Sequence, residues 1–441
     1  MYLYTLHGDP ITEKNFYVTL RIANMTHAIR FIHTADLHFG MENYGKIDAK
    51  TGIHTRLLDF EKALNFCIDV AIKESVDFFL FSGDAYKTHN PSQTQQKLLF
   101  KCFLRLYKAG IPIVIVIGNH DHPLSFGKAH ALDMLGEIPL EGFHVFSKPG
   151  TIILHTKNGP ITIVGIPWPT RNTVAIADKH LDKSNTQLTE YISKAVAHII
   201  NDYAKKIDQN IPAVLASHIT VTTGIFSGSE KRAIYGNDPM LMPSQLALQP
   251  FDYVALGHLH RHQNLNPSGY PAVVYSGSIE RIDFGERKEE KGFCLVSIPE
   301  KGKATYDFIM VPTRPFIQIE VKLISGIPQT DQIIEAIKKY DLRDAIVKII
   351  YHIPAGKRDL VDLKMIEYAC QDALDLIGVI PIHSFEAREK RGCALKVNMD
   401  LHELLDNYFA TKPELINKKN DLIEKALVLW QDHLDQQEEQ T

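Results

Sequence analysis

Five apolar runs share one design, and this repetition constrains the fold more than any other feature of the chain. Ile29–Ile32 leads into His33-Thr-Ala-Asp36-Leu-His38, and Val76–Phe81 into Ser82-Gly83-Asp84. Ile111–Ile117 leads into Gly118-Asn119-His120-Asp121-His122, Pro212–Ala216 into Ser217-His218, and Phe251–Leu256 into Gly257-His258-Leu-His260. Each run has the length of a strand and is rich in β-branched or aromatic residues. Near-continuous apolar runs suit strands covered on both faces. Between them, Arg56–Ser75 carries Leu57, Leu58, Ala63, Leu64, Cys67, Ile68 and Ala71 close to a 3.6-residue period, which reads as a helix. A second helix has legible ends, with Ser92 and Gln95 spaced as a capping box and Gly110 where a C′ glycine belongs. Strand–helix alternation implies parallel strands with helical crossovers. Side chains at the C-terminal ends of such strands converge on one crevice.

Those strand ends supply Asp36, His38, Asp84, Asn119, His218, His258 and His260. Two carboxylates, four imidazoles and an amide oxygen suit Mn²⁺, Fe²⁺ or Zn²⁺ better than Ca²⁺ or the thiolate metals. Seven groups are too many for one tetrahedral ion and right for two ions sharing a carboxylate. Two ions about 3.5–4 Å apart can clamp a phosphate, activate a water and stabilise a leaving oxygen. His120 is surplus to that set and suits protonation of a leaving alkoxide. Each motif alone is ordinary: an Asp-x-His is commonly incidental, and Gly-Asp is a turn dipeptide. Five of them in this order, each at the end of an apolar strand, are a different matter.

Asp36-x-His38, Gly83-Asp84, Gly118-Asn119-His120-Asp121, His218 and Gly257-His258-x-His260 resemble the five signatures of calcineurin-like metallophosphoesterases. The resemblance implies an α/β fold, a two-sheet sandwich flanked by helices. It also implies one metal held by Asp36, His38, Asp84 and His260, and another by Asp84, Asn119, His218 and His258, with Asp84 bridging and His120 catalytic. Within that family the chain is similar to SbcD-type nuclease subunits. The wording His33-Thr-Ala-Asp36-Leu-His38 and the segment Tyr275–Glu286 carry this narrower likeness. The likeness implies metal-dependent DNA hydrolysis, exonucleolytic and endonucleolytic, in repair and recombination. Manganese is the cofactor it suggests; the ligand types alone leave iron and zinc open. Some relatives place a histidine three residues after the bridging aspartate. Lys87 stands there, with His89 nearby, as a candidate phosphate contact.

The 441 residues exceed one ordinary domain. Residues 27–312 read as the metallophosphoesterase domain. Residues 313–390 read as a small α+β domain, starting at Arg314-Pro315, and the likeness to SbcD-type nucleases implies that it is a DNA-capping domain. It has strands at Phe316–Leu323, Ala345–Tyr351 and Val379–Phe385, and helices at Asp331–Tyr340 and Leu363–Ile377. Residues 391–441 read as helical, with Leu401, Leu404, Leu405, Tyr408 and Phe409 on one stripe and Leu415 through Trp430 to Leu434 on another. In SbcD-like nucleases such helices dock on an SbcC-type ATPase, and the expected assembly contains a homodimer within a heterotetramer. An apolar stripe with a tryptophan suits a helical-groove partner, although packing against its own chain would produce the same pattern. Residues 1–26 read as an extension, with translation expected to start at Met25.

The net charge of −4 excludes a grip on nucleic acid by bulk positive charge. Ten acidic and four basic side chains fall in residues 398–441, so the rest of the chain is mildly basic. Five cysteines without a C-x-x-C pair suit a reducing cytoplasm, with the protein expected at the nucleoid. No apolar run has membrane length. The alternative reading is a small-molecule phosphodiesterase or phosphatase on the same core. Ala85-Tyr86-Lys87-Thr88 after Asp84 departs from the Ser/Thr phosphatase ending. A binding scaffold would need degraded ligands, and all seven positions are filled.

Overall fold

A computed structural model describes residues 28–122, 129–137, 141–170, 184–228, 238–383, 400–410 and 412–438. The expected start at Met25, and Phe385 at the end of an expected strand, lie outside the described residues. The first half runs β1 (Ile29–Thr34), α1 (Thr55–Lys73), β2 (Phe78–Phe81), α2 (Gln93–Lys108), β3 (Ile113–Val116), α3 (Asp133–Glu137), β4 (Phe143–Phe146), β5 (Gly150–Thr156), β6 (Gly159–Ile166) and α4 (Asn185–Lys206). Next come β7 (Ala213–His218), β8 (Thr220–Val221), β9 (Met240–Leu241), α5 (Pro243–Leu246), β10 (Tyr253–Gly257), β11 (Gln263–Asn264), β12 (Ala272–Tyr275), β13 (Gly292–Ile298) and β14 (Thr305–Met310). The chain continues with β15 (Phe316–Lys322), α6 (Gln329–Ile337), β16 (Ile346–Ile353), α7 (Leu363–Ala369), β17 (Asp375–His383), α8 (Leu401–Ala410) and α9 (Lys419–Glu438).

Two six-stranded sheets form, in the orders β14-β13-β1-β2-β3-β4 and β11-β12-β10-β7-β6-β5. The five strands read from the sequence run parallel to one another within these sheets, β1, β2 and β3 in one and β7 and β10 in the other, while β1 is antiparallel to β13 on its other side. Period-2 alternation builds the layers. Phe31, Phe78, Leu80, Val114 and Val116 share a cluster with Val214, Ala216, Tyr253 and Ala255 between the sheets. The intervening Ile32, Phe79, Phe81, Ile113 and Ile115 pack with Leu64, Ile68, Phe103 and Leu106 of α1 and α2. On the other side, Leu215, Val254 and Leu256 pack with Ile192, Val196 and Ile200 of α4. The expected sandwich flanked by helices is therefore present, with both faces of the central strands covered. A buried polar link crosses it: His33 of β1 sits 3.1 Å from Tyr253 Oη and 3.2 Å from the Leu256 carbonyl, both of β10.

The expected capping box forms, with Ser92 Oγ accepting from Gln95 N–H and Gln95 Oε1 accepting from Ser92 N–H. Gly110 follows in the left-handed region at φ 69°. Downstream of β14, Arg314 grips Asp59 of α1 with two bonds of 2.8 and 2.7 Å. The fully buried Arg56 guanidinium lies over the rings of Phe60 and Phe316.

The chain divides into two compact units, the first comprising residues up to 317 with 342–348 and 370–377. The second contains most of the three-stranded sheet β15-β16-β17, with α6, α7 and the C-terminal helices. Val347, Ile349, Tyr351 and Ile353 alternate as buried residues along β16. One expectation fails here: the helix read over Leu363–Ile377 stops at Ala369, and β17 begins at Asp375. Leu374 N–H donates to the Ala345 carbonyl at 2.9 Å, and Leu374 and Ile377 pack beside Phe284, Phe316 and Ile346. Tertiary pairing overrides a locally helical pattern there. Among the described residues no helix is long and apolar enough to cross a membrane.

Candidate metal centre

All seven expected ligands come together at the C-terminal ends of β1, β2, β3, β7 and β10. The backbone is bent sharply to deliver them. Asp36, His38, Asp84 and His258 have φ of 52°, 46°, 58° and 106°, a region that side-chain-bearing residues rarely occupy and that concentrates at functional sites. Glycines make room: a Cβ on Gly83, at φ 98°, would collide with the His218 ring, and one on Gly118 with the Asp84 carboxylate.

Asp84 sits at the centre. Its Oδ2 lies 3.5 Å from His38 Nε2 and 3.4 Å from His218 Nε2. Two groups of potential ligand atoms form around it, each within 4.8 Å: His38, Asp84 and His120 in one, Asp84, His218 and His258 in the other. His260 Nε2 approaches His38 Nε2 to 3.0 Å. Asn119 Oδ1 lies 3.0 Å from both His218 Nε2 and His258 Nδ1. Asp36 Oδ1 accepts the His258 N–H at 2.8 Å, while its buried Oδ2 has no hydrogen-bond partner. A buried carboxylate oxygen without a donor is costly and is what a cation would satisfy. The Nε2 atoms of His38 and His260, 3.0 Å apart, likewise converge as two imidazole ligand atoms on one side of Asp84.

The electrostatics agree. Burial pushes Asp36 up to about 6, against the pull of His218 and His260. Burial also works against Asp84 ionising, but His218, His120 and His38 outweigh it and hold that carboxyl well below the usual range. Burial disfavours the His218 imidazolium, yet Asp84 and Asp36 raise it to about 9. The extra proton held by His218 thus stands where a divalent ion would, and ion binding would displace it.

His120 donates its N–H to Asp84 Oδ1 at 2.8 Å, and its ring Nδ1 donates to the Lys87 carbonyl at 2.8 Å. That contact fixes the orientation of the ring. Lys87 meets the centre through its main chain, and its side chain is exposed; His89 is half-buried.

Five supporting residues had no role assigned from the sequence. Asp121, part of the Gly118–Asp121 motif, accepts the N–H groups of Asp84, Ala85, Tyr86 and Gly118 at 2.9 to 3.2 Å. Glu286 Oε1 accepts from His260 Nδ1 at 2.8 Å, and Lys291 pairs with Glu286 Oε2 at 2.7 Å. Burial would raise this carboxyl, but Lys291 and His260 hold it down at about 2. Asp238 Oδ2 lies 3.4 Å from His258 Nε2. The Trp168 ring lies 4.8 Å from that of His258 and 6.1 Å from that of His218. A carboxylate behind a histidine has no fixed sequence spacing, so periodicity gave no signal for these partners.

The calcineurin-like phosphoesterase family pattern matches residues 29–262, and the chain belongs to that family. That family is one of phosphoester hydrolases with a dimetal site, and the two candidate ligand groups here are of that kind. An uncharacterized metallophosphoesterase of Bacillus subtilis strain 168, YhaO, is 29% identical over 289 residues, covering 64% of this chain and 60% of the relative. The chain thus spans about 60% of the length of that curated relative. Solved structures similar to it include a dimetal phosphatase from Danio rerio, with 12% identity, TM-score 0.38, and coverage of 64% of this chain and 99% of that one. Another is a 5'-nucleotidase precursor from Thermus thermophilus, with 14% identity, TM-score 0.36, and coverage of 64% and 54%.

Proposed function

We propose that this chain is the nuclease subunit of an ATP-driven SbcCD-type complex, cleaving DNA phosphodiesters with two divalent ions, manganese in the first instance. The observation that carries the hydrolytic part is the position of Asp84 between two sets of candidate ligands. Asp36, His38, Asp84 and His260 would hold one ion, and Asp84, Asn119, His218 and His258 the other. Such a pair supplies an activated water and neutralises phosphate charge.

The protein's own groups do the rest. Asp84 holds the two sides at a fixed separation. His120, oriented by the Lys87 carbonyl, presents Nε2 to the leaving oxygen and hands it a proton. The exposed Lys87 side chain, with His89 two residues on, would contact a DNA phosphate. Trp168 shields His258 and His218 on one side.

The DNA substrate is supported by the SbcD-like wording around Asp36 and by the second unit, which a small-molecule enzyme on this core does not need. Exposed Val428, Leu429 and Trp430 on α9 offer an apolar surface for the SbcC-type ATPase, with the protein acting as a homodimer inside a cytoplasmic, nucleoid-bound heterotetramer. The test is manganese-dependent cleavage of end-labelled linear and hairpin DNA, with and without the ATPase and ATP. Cleavage of these substrates is expected. No DNA cleavage alongside fast hydrolysis of a small phosphodiester would instead favour the small-molecule reading.

A further inference from the structure

The two sides of the centre are backed differently. On one side, His260 Nδ1 donates to Glu286 Oε1 at 2.8 Å. The other oxygen of Glu286 accepts the Ile282 N–H at 2.9 Å and pairs with Lys291 at 2.7 Å. Both side chains are fully buried. Lys291 also donates to the His260 carbonyl and to Ser278 Oγ, each at 3.0 Å. The ring of His260 is thus clamped by an anion that is itself clamped at both oxygens.

On the other side the backing is weaker. His218 Nδ1 donates to a neutral acceptor, the Ser82 carbonyl, at 2.8 Å. His258 Nε2 lies 3.4 Å from Asp238 Oδ2, a longer contact than the 2.8 Å between His260 and Glu286, and the Asp238 side chain is 18% exposed. A carboxylate bonded to the far nitrogen of a ligating histidine fixes its tautomer and raises its basicity, and its loss typically costs 10–100-fold in metal affinity.

We infer that the two metal positions are unequal, and that the buried Glu286–Lys291 pair makes the position served by His260 the tighter one. This rests on the reading of the cluster as a dimetal centre. The position served by His218 and His258 is the one that fills last, so activity requiring both ions follows metal availability through the weaker site. Glu286 and Lys291 act through His260 and are positioning residues.

The test is a calorimetric Mn²⁺ titration of the metal-stripped full chain. Wild type is expected to show two separable binding events. Glu286→Gln should weaken the tighter event by about 10–100-fold and leave the weaker one in place. That single change removes one of the two carboxylates facing the buried Lys291 and leaves only Glu289 at 3.1 Å, so the double variant Glu286→Gln/Lys291→Met guards against misfolding and should show the same selective loss. Asp238→Asn should move only the weaker event. Two wild-type events of equal affinity, or a tight event unchanged in the single and double variants, would overturn the inference while leaving the dimetal reading standing. No metal uptake by wild type would overturn both, and a wild-type chain that binds only one ion would remove the inequality along with the second site.

Discussion

Asp121 accepts the main-chain N–H of Asp84 at 2.9 Å, so a carboxylate outside the ligand set fixes the backbone of the one at its centre. The same side chain also takes the N–H groups of Ala85, Tyr86 and Gly118. Asp121→Ala would orphan four buried donors, at roughly 1–3 kcal/mol each before relaxation. We expect a loss of at least about 3 kcal/mol in urea unfolding, with weaker metal binding. A variant of wild-type stability would show that water replaces the carboxylate.

Asp84 and His120 separate binding from turnover. Asp84→Ala should abolish metal-dependent hydrolysis and reduce metal uptake on both sides. His120→Ala should keep the metal content and lose about 10²–10⁴-fold in rate, the usual range for a general acid. Metal analysis beside rate measurements distinguishes them, and undiminished turnover in His120→Ala would remove its assigned role.

His33 sets a pH dependence of folding that is independent of the metals. Burial pushes its imidazole down to about 3, with the Leu256 carbonyl opposing and His262 assisting. From pH 6.5 down towards 3 the unfolded chain binds a proton that the folded chain refuses. Stability is therefore complete above about 6.5 and falls by about 1.4 kcal/mol per pH unit on acidification through that window. Urea unfolding of wild type and His33→Gln between about pH 7 and 5 should differ in slope by about that amount. Parallel slopes would contradict the buried neutral assignment.

Trp168 makes the centre visible. The chain has two tryptophans, and Trp168 lies against His258 and His218. Mn²⁺ should quench part of the emission, and Trp168→Phe should abolish the response. An equal response in the variant would place the ions elsewhere.

The acidic C-terminus is expected to be dispensable for metal binding and required for assembly. Removal of residues 398–441 should leave the Mn²⁺ titration unchanged and abolish co-purification with the SbcC-type ATPase. Retained association would move the docking surface off α8 and α9.

The centre was unusually legible because buried parallel strands impose a simple grammar. Phe78–Phe81 and Ile113–Val116 are covered on both faces, so apolar runs marked them, and the sheet's geometry then required the residues after them to meet. Glu286 and Asp238 reach their histidines across loops, through contacts that no periodicity encodes. Asp121 lay inside a recognisable motif, but four N–H groups converging on one carboxylate are a property of the folded turn. Leu374 illustrates the opposite failure: its helical neighbours in sequence lose to the Ala345 carbonyl in space.

The central claim is that Asp84 is shared by two ions. The most direct measurement is anomalous diffraction from Mn²⁺-soaked crystals of the full chain. Two peaks about 3.5–4 Å apart are expected, both within bonding distance of the Asp84 carboxylate, one facing His38 and His260 and the other His218 and His258. A single peak, or two peaks with Asp84 bonded to neither or to only one, would contradict it.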